Sequence, residues 1–489
     1  VIVSLLVVVL SVSLAYFTAQ IIGKGKDVSV TSANLQIVFT DSDGALTETD
    51  IEPGWSATKT FTIKNDTKTE YKYNIVIKDL LNTFVTNGYL KYKITSTNGG
   101  YNMTEFKDIP KSSIATDTIL AYSVVIPNGV TQSYTIEFKY TNDENIDQSD
   151  DMGKQLSGTL FITEGTELTF LTQLLADKST RLTRTDFSKV LTDNNTNTLY
   201  TSTEDSKTVY YFAGNATDNW VKFGKNASNQ DLYWRIIRTN SEGSIRLLYH
   251  GTSTTATNAY IGTIKFNSTY NDAMYVGYMY GTSGSQVNNR TNTNSSTIKG
   301  VIDTWYKDNL NSNYGKYLSA TAIYCNDRSV TSGTYSVSSS FGYSAKTRLD
   351  VNKTPTYNCA DTNDKFTADT STGNGKLTYP IALMTADEVS FAGGKYGSNA
   401  PTWYYYNSAN ESSTGSTWWW VLSPYIWDGS YAHVFGVHGS SWPGLLNSNL
   451  VLDTGGVRPV TSLKSCVKYS SGDGTATNPY TIQETTSGC

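Results

Sequence analysis

Histidine is nearly missing from this chain of 489 residues. Only His250, His433 and His438 occur, which all but excludes catalysis by several histidines or a multi-histidine metal site. Charge is sparse at 17% of residues, and 38 basic against 43 acidic side chains leave a net charge of −5. A nucleic-acid binder would normally present a basic face, so that class of partner is not expected. Proline is scarce at 10 residues, whereas tyrosine reaches 35. Disordered chains are poor in aromatic residues, so the composition reads as folded, β-rich and polar at the surface through Asn, Ser, Thr and Gly. One hydrophobic core rarely serves more than about 250–300 residues, so at least two domains are expected.

What is present begins with an uncharged apolar run from Val1 to Ile22, followed by Lys24. Such a run suits the hydrophobic region of a secretory signal or a membrane anchor. Ser13 and Ala15 put small residues where a cut before Tyr16 would need them. Residues 1–23 are therefore expected to direct export and to tie the chain, at least transiently, to membrane or cell envelope. The four cysteines, Cys325, Cys359, Cys466 and Cys489, fit an exported chain in which disulfides persist. Three pairings are possible. The expectation is the neighbour pairing, Cys325 with Cys359 and Cys466 with Cys489, each bridge contributing roughly 3–4 kcal/mol. No CxxC or CxxH spacing supports zinc instead.

From 28 to 165 the chain alternates with period two: Val28–Thr31, Leu35–Phe39, Lys59–Ile63, Tyr73–Ile77, Leu90–Ile94, Ile119–Ile126, Tyr134–Tyr140 and Thr159–Ile162. Roughly eight such strands without long helices predict an antiparallel β-sandwich. Residues 166–198 read as a short helix, from the spacing of Leu168, Leu171, Leu174 and Leu175, followed by a polar linker. Beyond about Leu199 the pattern becomes Tyr/Trp-rich and loop-rich. Strands are expected at 221–224, 232–238 and 244–249, and helices at Thr297–Asn309 and from Ala386.

Two resemblances add to this reading. Ala15-Tyr16-Phe17-Thr18, Asp50-Ile51-Glu52-Pro53-Gly54 and Thr60-Phe61-Thr62-Ile63-Lys64-Asn65 resemble the camelysin/TasA-type exported proteins of Gram-positive bacteria, over about residues 10–165. That resemblance implies a jelly-roll-like sandwich and a surface or extracellular location. It does not imply protease activity here, because neither HExxH nor a nucleophile elbow is present. Further along stand Trp234-Arg235-Ile236-Ile237-Arg238, Leu383 to Val389, Trp418-Trp419-Trp420-Val421-Leu422-Ser423-Pro424, Gly456-Val457-Arg458-Pro459-Val460, Ser471 to Gly474 and Asn478-Pro479-Tyr480. This frame is similar to C-type-lectin-fold variable domains diversified by retroelements, a fold shared with formylglycine-generating enzymes. The resemblance covers 199–489 and implies an α+β domain with a variable region at about 421–456.

Within such a domain Trp418, Trp419, Trp420 and Arg458 are expected to be scaffold, and Val434, Val437, Leu446 and Val451 fixed apolar positions. The retroelements mutate adenine, so Asn codons can become codons for Tyr, His, Asp, Gly, Ser, Leu, Phe or Ile but never for Lys, Glu, Gln, Met or Trp. The implied variable, ligand-binding positions are Tyr425, Ile426, Asp428, Tyr431, His433, Gly436, His438, Ser441, Leu445, Ser448, Leu450, Leu452, Asp453 and Gly455. Trp427 and Trp442 lie outside that code and are expected to be fixed. Tyr and His among small residues also suit an adaptable binding face.

The function expected is display of a binding face at the cell surface toward an unknown protein or glycan ligand of host, bacterial or phage origin. No catalytic residue, metal or cofactor is expected. Three alternatives stay open: a structural fibre subunit, a formylglycine-generating-type enzyme needing a reactive cysteine pair, and a calcium lectin, for which only Asp428 and Asn447 are nearby candidates.

Overall fold

The computed structural model describes residues 27–32, 35–41, 46–48, 53–66, 68–86, 88–151, 154–165, 168–256, 259–403, 406–407, 418–439 and 442–489. The apolar run 1–22 and Ser441 lie outside them. Among the described residues no helix is long and apolar enough to cross a membrane. The chain divides into two compact units, one of residues 1–168 with 175–182, the other of 169–174 with 183–489.

The first unit is a β-sandwich. One sheet runs in the order Asp27–Ser32, Leu35–Asp41, Ser56–Asn65, Thr131–Tyr140, Leu90–Ser96 and Lys107–Asp108. The other orders Ser112–Ile126, Tyr71–Asn82, Leu156–Glu164 and Leu46–Glu48, with Arg181 meeting Ser112 at its far edge. All eight expected strands are present. Alternation explains them: in Leu90–Ile94 the apolar residues are buried while Lys91 and Lys93 are partly exposed. Phe61, Ile63, Ile75, Ile94, Ile126 and Ile136 fill the core. Inside it the Tyr73 hydroxyl meets those of Tyr134 and the Gln132 side-chain oxygen, so the buried phenols are satisfied.

The second unit is mixed, with more sheet than helix. Its first sheet places Thr198–Glu204, Lys207–Tyr211, Asp231–Thr239, Ile245–Tyr249, Val460–Leu463 and Ile381–Ala382 side by side, and Trp220–Lys225 pairs the third of these. Asp231–Thr239 and Ile245–Tyr249 form the expected hairpin, turning at Gly243 with φ of +86°. The helix Thr297–Asn309 begins where expected because Ser296 caps it, its hydroxyl accepting from the Lys299 N–H. Ala386–Ala392 is a short buried helix opened by a Thr385/Glu388 capping box. The helix expected near Leu168–Leu175 is Phe170–Asp177, and residues 183–198 belong to the second unit, where the Asn195 amide donates to the Ala213 carbonyl.

The two bridges are Cys325–Cys359 and Cys466–Cys489, with Cα separations of 5.7 and 5.3 Å. This is the neighbour pairing, and it fits an exported chain in an oxidising environment.

Candidate functional site

The site is built on a second sheet of the second unit. Trp419–Trp427 is its central strand. Aromatic and β-branched side chains favour a strand there, and Pro424, which cannot donate to a ladder, sits at a register shift opposite Val434. Ala432–Val437 pairs antiparallel with this strand, Ile426 facing His433 and Trp419 facing Val437. Leu446–Leu450 then pairs with Ala432–Val437, from His433–Leu450 to Val437–Leu446.

Aromatic packing fixes the frame. Trp419 and Trp420 are fully buried and Trp418 partly so. The Trp420 indole donates to the Ile264 carbonyl at 2.9 Å and lies edge-on to Trp418 at 4.4 Å. The buried Arg458 guanidinium stands 5.0 Å from the Trp419 ring and donates from Nε to the Tyr249 carbonyl at 3.2 Å. Val434, Val437, Leu446 and Val451 are all buried, as their expected fixed role requires.

The implied variable positions separate into three groups. Asp428 and Tyr431 are exposed, and Ile426, His433, His438, Leu445, Ser448, Leu450, Leu452 and Asp453 are partly exposed. Tyr425, Gly436 and Gly455 are buried, which removes them from any displayed surface. Tyr425 is only 8% exposed because its ring packs on Tyr396 and Phe435 and its hydroxyl bonds that of Tyr396 at 2.7 Å. Gly436 and Gly455 are small because Trp418 lies over them: an added Cβ would come within 2.9 Å and 2.7 Å of that indole. Ser441 falls outside the described residues.

The exposed positions form two clusters at opposite ends of the strand Ala432–Val437. A chain rising about 3.3 Å per residue puts Tyr431 and His438 roughly 23 Å apart. At one end Asp428 accepts from the Ser430 and Tyr431 N–H groups and from His433 Nε2 at 2.9 Å. Although burial pushes the other way, these donors hold the Asp428 carboxyl below its usual range. The Tyr431 ring stacks on Tyr270 at 5.2 Å, both more than a third exposed. At the other end His438 lies between Trp418 (6.1 Å, stacked) and Trp442 (5.5 Å, edge-on). Burial lowers its pKa, and its Nε2 has no hydrogen-bond partner. Trp442 is 55% exposed. Tyr270 lies outside the 421–456 stretch, and no sequence signal ties it to Tyr431.

A charged network also lies in this unit. Glu388 Oε1 accepts from Arg238 Nε at 2.8 Å and from Arg246 Nη1, and Arg238 Nη2 reaches Glu204 at 2.9 Å. Arg348 forks onto Asp387 at 3.0 and 2.9 Å and reaches Asp327 at 2.6 Å. Between the two groups is a polar cavity of about 20 Å³, room for about one water. Cys325 lines it, but the sulfur is bridged to Cys359. Among the described residues no group of three or more His, Cys, Asp and Glu side chains converges as a metal site would.

No family model and no curated protein matches this chain. Among solved structures, the chain described as "AvmM Catalyzes Macrocyclization in Alchivemycin A Biosynthesis" aligns over 30% of this chain and 100% of its own, at 10% identity. Its TM-score of 0.16 is too low to carry any argument about fold or activity.

Proposed function

We propose that this is an exported, cell-surface ligand-binding protein. In this reading residues 199–489 form a C-type-lectin-fold domain of the retroelement-diversified kind, and the first unit is a camelysin/TasA-type sandwich that carries it. The observation that carries the proposal is the division of labour around Ala432–Val437. Large aromatic side chains are buried on the neighbouring strand, with Arg458 buried against Trp419, while Asp428, Tyr431, His438 and Trp442 reach solvent around Ala432–Val437. A rigid frame holding exposed Tyr, His and Trp beside small polar residues is what recognition by a preorganised face requires.

An enzymatic reading of the formylglycine-generating type needs reactive thiols, whereas the four cysteines are joined in two bridges. That pairing favours the binding reading.

The test is to replace Ile426, Asp428, Tyr431, His433, His438, Leu450 and Leu452 together with Ser or Asn and to keep Trp418–Trp420 and Arg458. The variant should retain the wild-type far-ultraviolet dichroism and a cooperative unfolding transition, and lose any ligand recovered by screening the wild-type chain against immobilised proteins and glycans. Unchanged binding would place recognition elsewhere. Diversification is tested in the flanking DNA, where a near-copy of the 421–456 coding stretch beside a reverse transcriptase is expected.

A further inference from the structure

We infer that the Trp442 end of this face is a metal-independent docking platform for a neutral, polyhydroxylated chain, a glycan without acidic groups; the inference rests on reading this face as the recognition surface.

Trp442 is the most exposed aromatic residue among those described. It is nevertheless held firmly. Trp442-Pro443-Gly444-Leu445 is a tight turn closed by the Leu445 N–H on the Trp442 carbonyl at 3.0 Å, with Gly444 at φ of +65°. Proline followed by a left-handed glycine is the arrangement of a type II turn. The turn is clamped from outside as well: Gly444 donates to the His438 carbonyl at 3.1 Å, His438 to that of Leu445 at 2.8 Å, and Ala400 to that of Pro443 at 2.8 Å. His438 backs the indole, and Trp418 backs His438. An indole left more than half exposed adds less to folding than a buried one, and on a preorganised turn it loses little entropy when a ligand covers it.

The surroundings select the ligand chemistry. From Val421 to Gly456 there is no Lys, Arg or Glu. The two aspartates of that stretch are engaged locally, Asp428 as described and Asp453 through the Leu450 N–H at 3.1 Å. An anionic ligand would find no cation on this stretch, and Lys395, on the segment packed against it, already donates to the Ser398 hydroxyl at 3.0 Å; a cationic ligand would find no free carboxylate on the stretch. On the strand that follows the turn Asn447 is partly exposed, and its pairing with Gly436 puts it on the same face as His438, two residues beyond Gly436. An amide both donates and accepts, as sugar hydroxyls do. An indole face beside it offers a flat apolar surface to the C–H side of a pyranose ring. The rival occupant is a peptide adding a strand at the edge of Leu446–Leu450. That edge is already engaged at its start, where Gly397 donates to the Leu446 carbonyl at 3.1 Å.

The experiment titrates the full chain, in EDTA, with neutral cello-, xylo-, manno- and chito-oligosaccharides, read by tryptophan fluorescence and calorimetry. At least one series should bind. Trp442→Ala should weaken it by about tenfold or more, and Trp442→Tyr should retain part of the affinity, with unfolding midpoints unchanged. No binding by any series up to about 10 mM overturns the inference, as does binding that EDTA abolishes. A saccharide lost in Tyr431→Ala but not in Trp442→Ala overturns the platform and leaves the face reading standing. Selected peptides that bind the wild type and fail on Trp442→Ala, with no saccharide bound, overturn the glycan and again spare the face. A saccharide that neither substitution affects overturns both.

Discussion

Glu388→Gln isolates the charge of a buried side chain from its shape. Glu388 is 1% exposed and serves two roles. Its Oε2 accepts the Thr385 N–H at 2.9 Å, opening the helix Ala386–Ala392, and its Oε1 is shared by Arg238 and Arg246. Glutamine keeps an acceptor for the Thr385 N–H, so the cap survives. The charge balance does not. Glu204 and Glu388 oppose Arg238 and Arg246, two against two, and the substitution leaves one buried guanidinium uncompensated. Removing one member of a buried pair costs about 3–5 kcal/mol, whereas an exposed pair would give about 1 kcal/mol or less. Every tryptophan except Trp55 lies beyond residue 183, so tryptophan fluorescence during urea unfolding reports the second unit. With a slope of about 3 kcal/mol/M, the midpoint should fall by about 1–1.7 M. Acid supplies a sign test. Burial raises the Glu388 pKa, but Arg246 and Arg238 outweigh it and hold the carboxyl below its ordinary value. The unfolded chain therefore takes up this proton first, and the contribution is present above about pH 4.3 and lost as pH falls below it. The gap between wild type and variant should narrow in acid. A midpoint shift under about 0.3 M, or a gap that widens in acid, would refute the reasoning.

Two further predictions concern the same unit. Trp419→Ala removes a fully buried indole that lies beneath the Arg458 guanidinium, and should cost about 3–5 kcal/mol in the same urea assay, whereas Tyr431→Ala at the exposed end should stay within about 0.5 kcal/mol. Equal losses would mean that frame and face have been exchanged. His250 is buried edge-on to Trp220 at 4.3 Å, neither ring nitrogen has a hydrogen-bond partner, and burial, then Arg458 and Arg235, push its pKa well below 6.5. The unfolded chain binds this proton while the folded one refuses it, so stability should fall by about 1 kcal/mol between pH 6.5 and 5.5. His250→Phe should remove that dependence, and an unaltered slope would show that another group titrates there.

The strands and the helix Thr297–Asn309 were legible because their signals are local. Alternation in Leu90–Ile94 and the Ser296 cap need only neighbouring residues. Ser112–Ile126 was legible only in its second half, since Ser112–Asp117 alternates no apolar residues and its pairing with Tyr71–Asn82 is interrupted by register shifts. The triple tryptophan run announced a buried frame, and Trp419 and Trp420 are indeed buried. What could not be read were contacts between distant parts of the chain. Arg238 and Glu388 are 150 residues apart. Each stood within a recognised stretch, but nothing in either stretch names the other as partner. Tyr270 against Tyr431 is a second case.

The same limit explains why the proposed binding face is narrower than a codon argument makes it. Glycine is reachable from an Asn codon, so Gly436 and Gly455 counted as variable, yet the space each would need is filled by Trp418. A side chain at either position would have to displace an indole that also packs against Trp420 and His438. These glycines therefore belong to the frame, and so does Tyr425, whose hydroxyl is already bonded to Tyr396. Asp428 and Asp453 sit between the categories, because each accepts backbone N–H groups of its own turn and so shapes the loop that displays its neighbours. Under the proposed reading, variation would be confined to positions whose side chains hold nothing else in place, with Tyr431 at one end of Ala432–Val437 and the positions around Trp442 at the other. A ligand engaging both ends must span roughly 23 Å, while one engaging a single end meets either a tyrosine pair or an indole, so changes at one end should alter affinity without passing through the other.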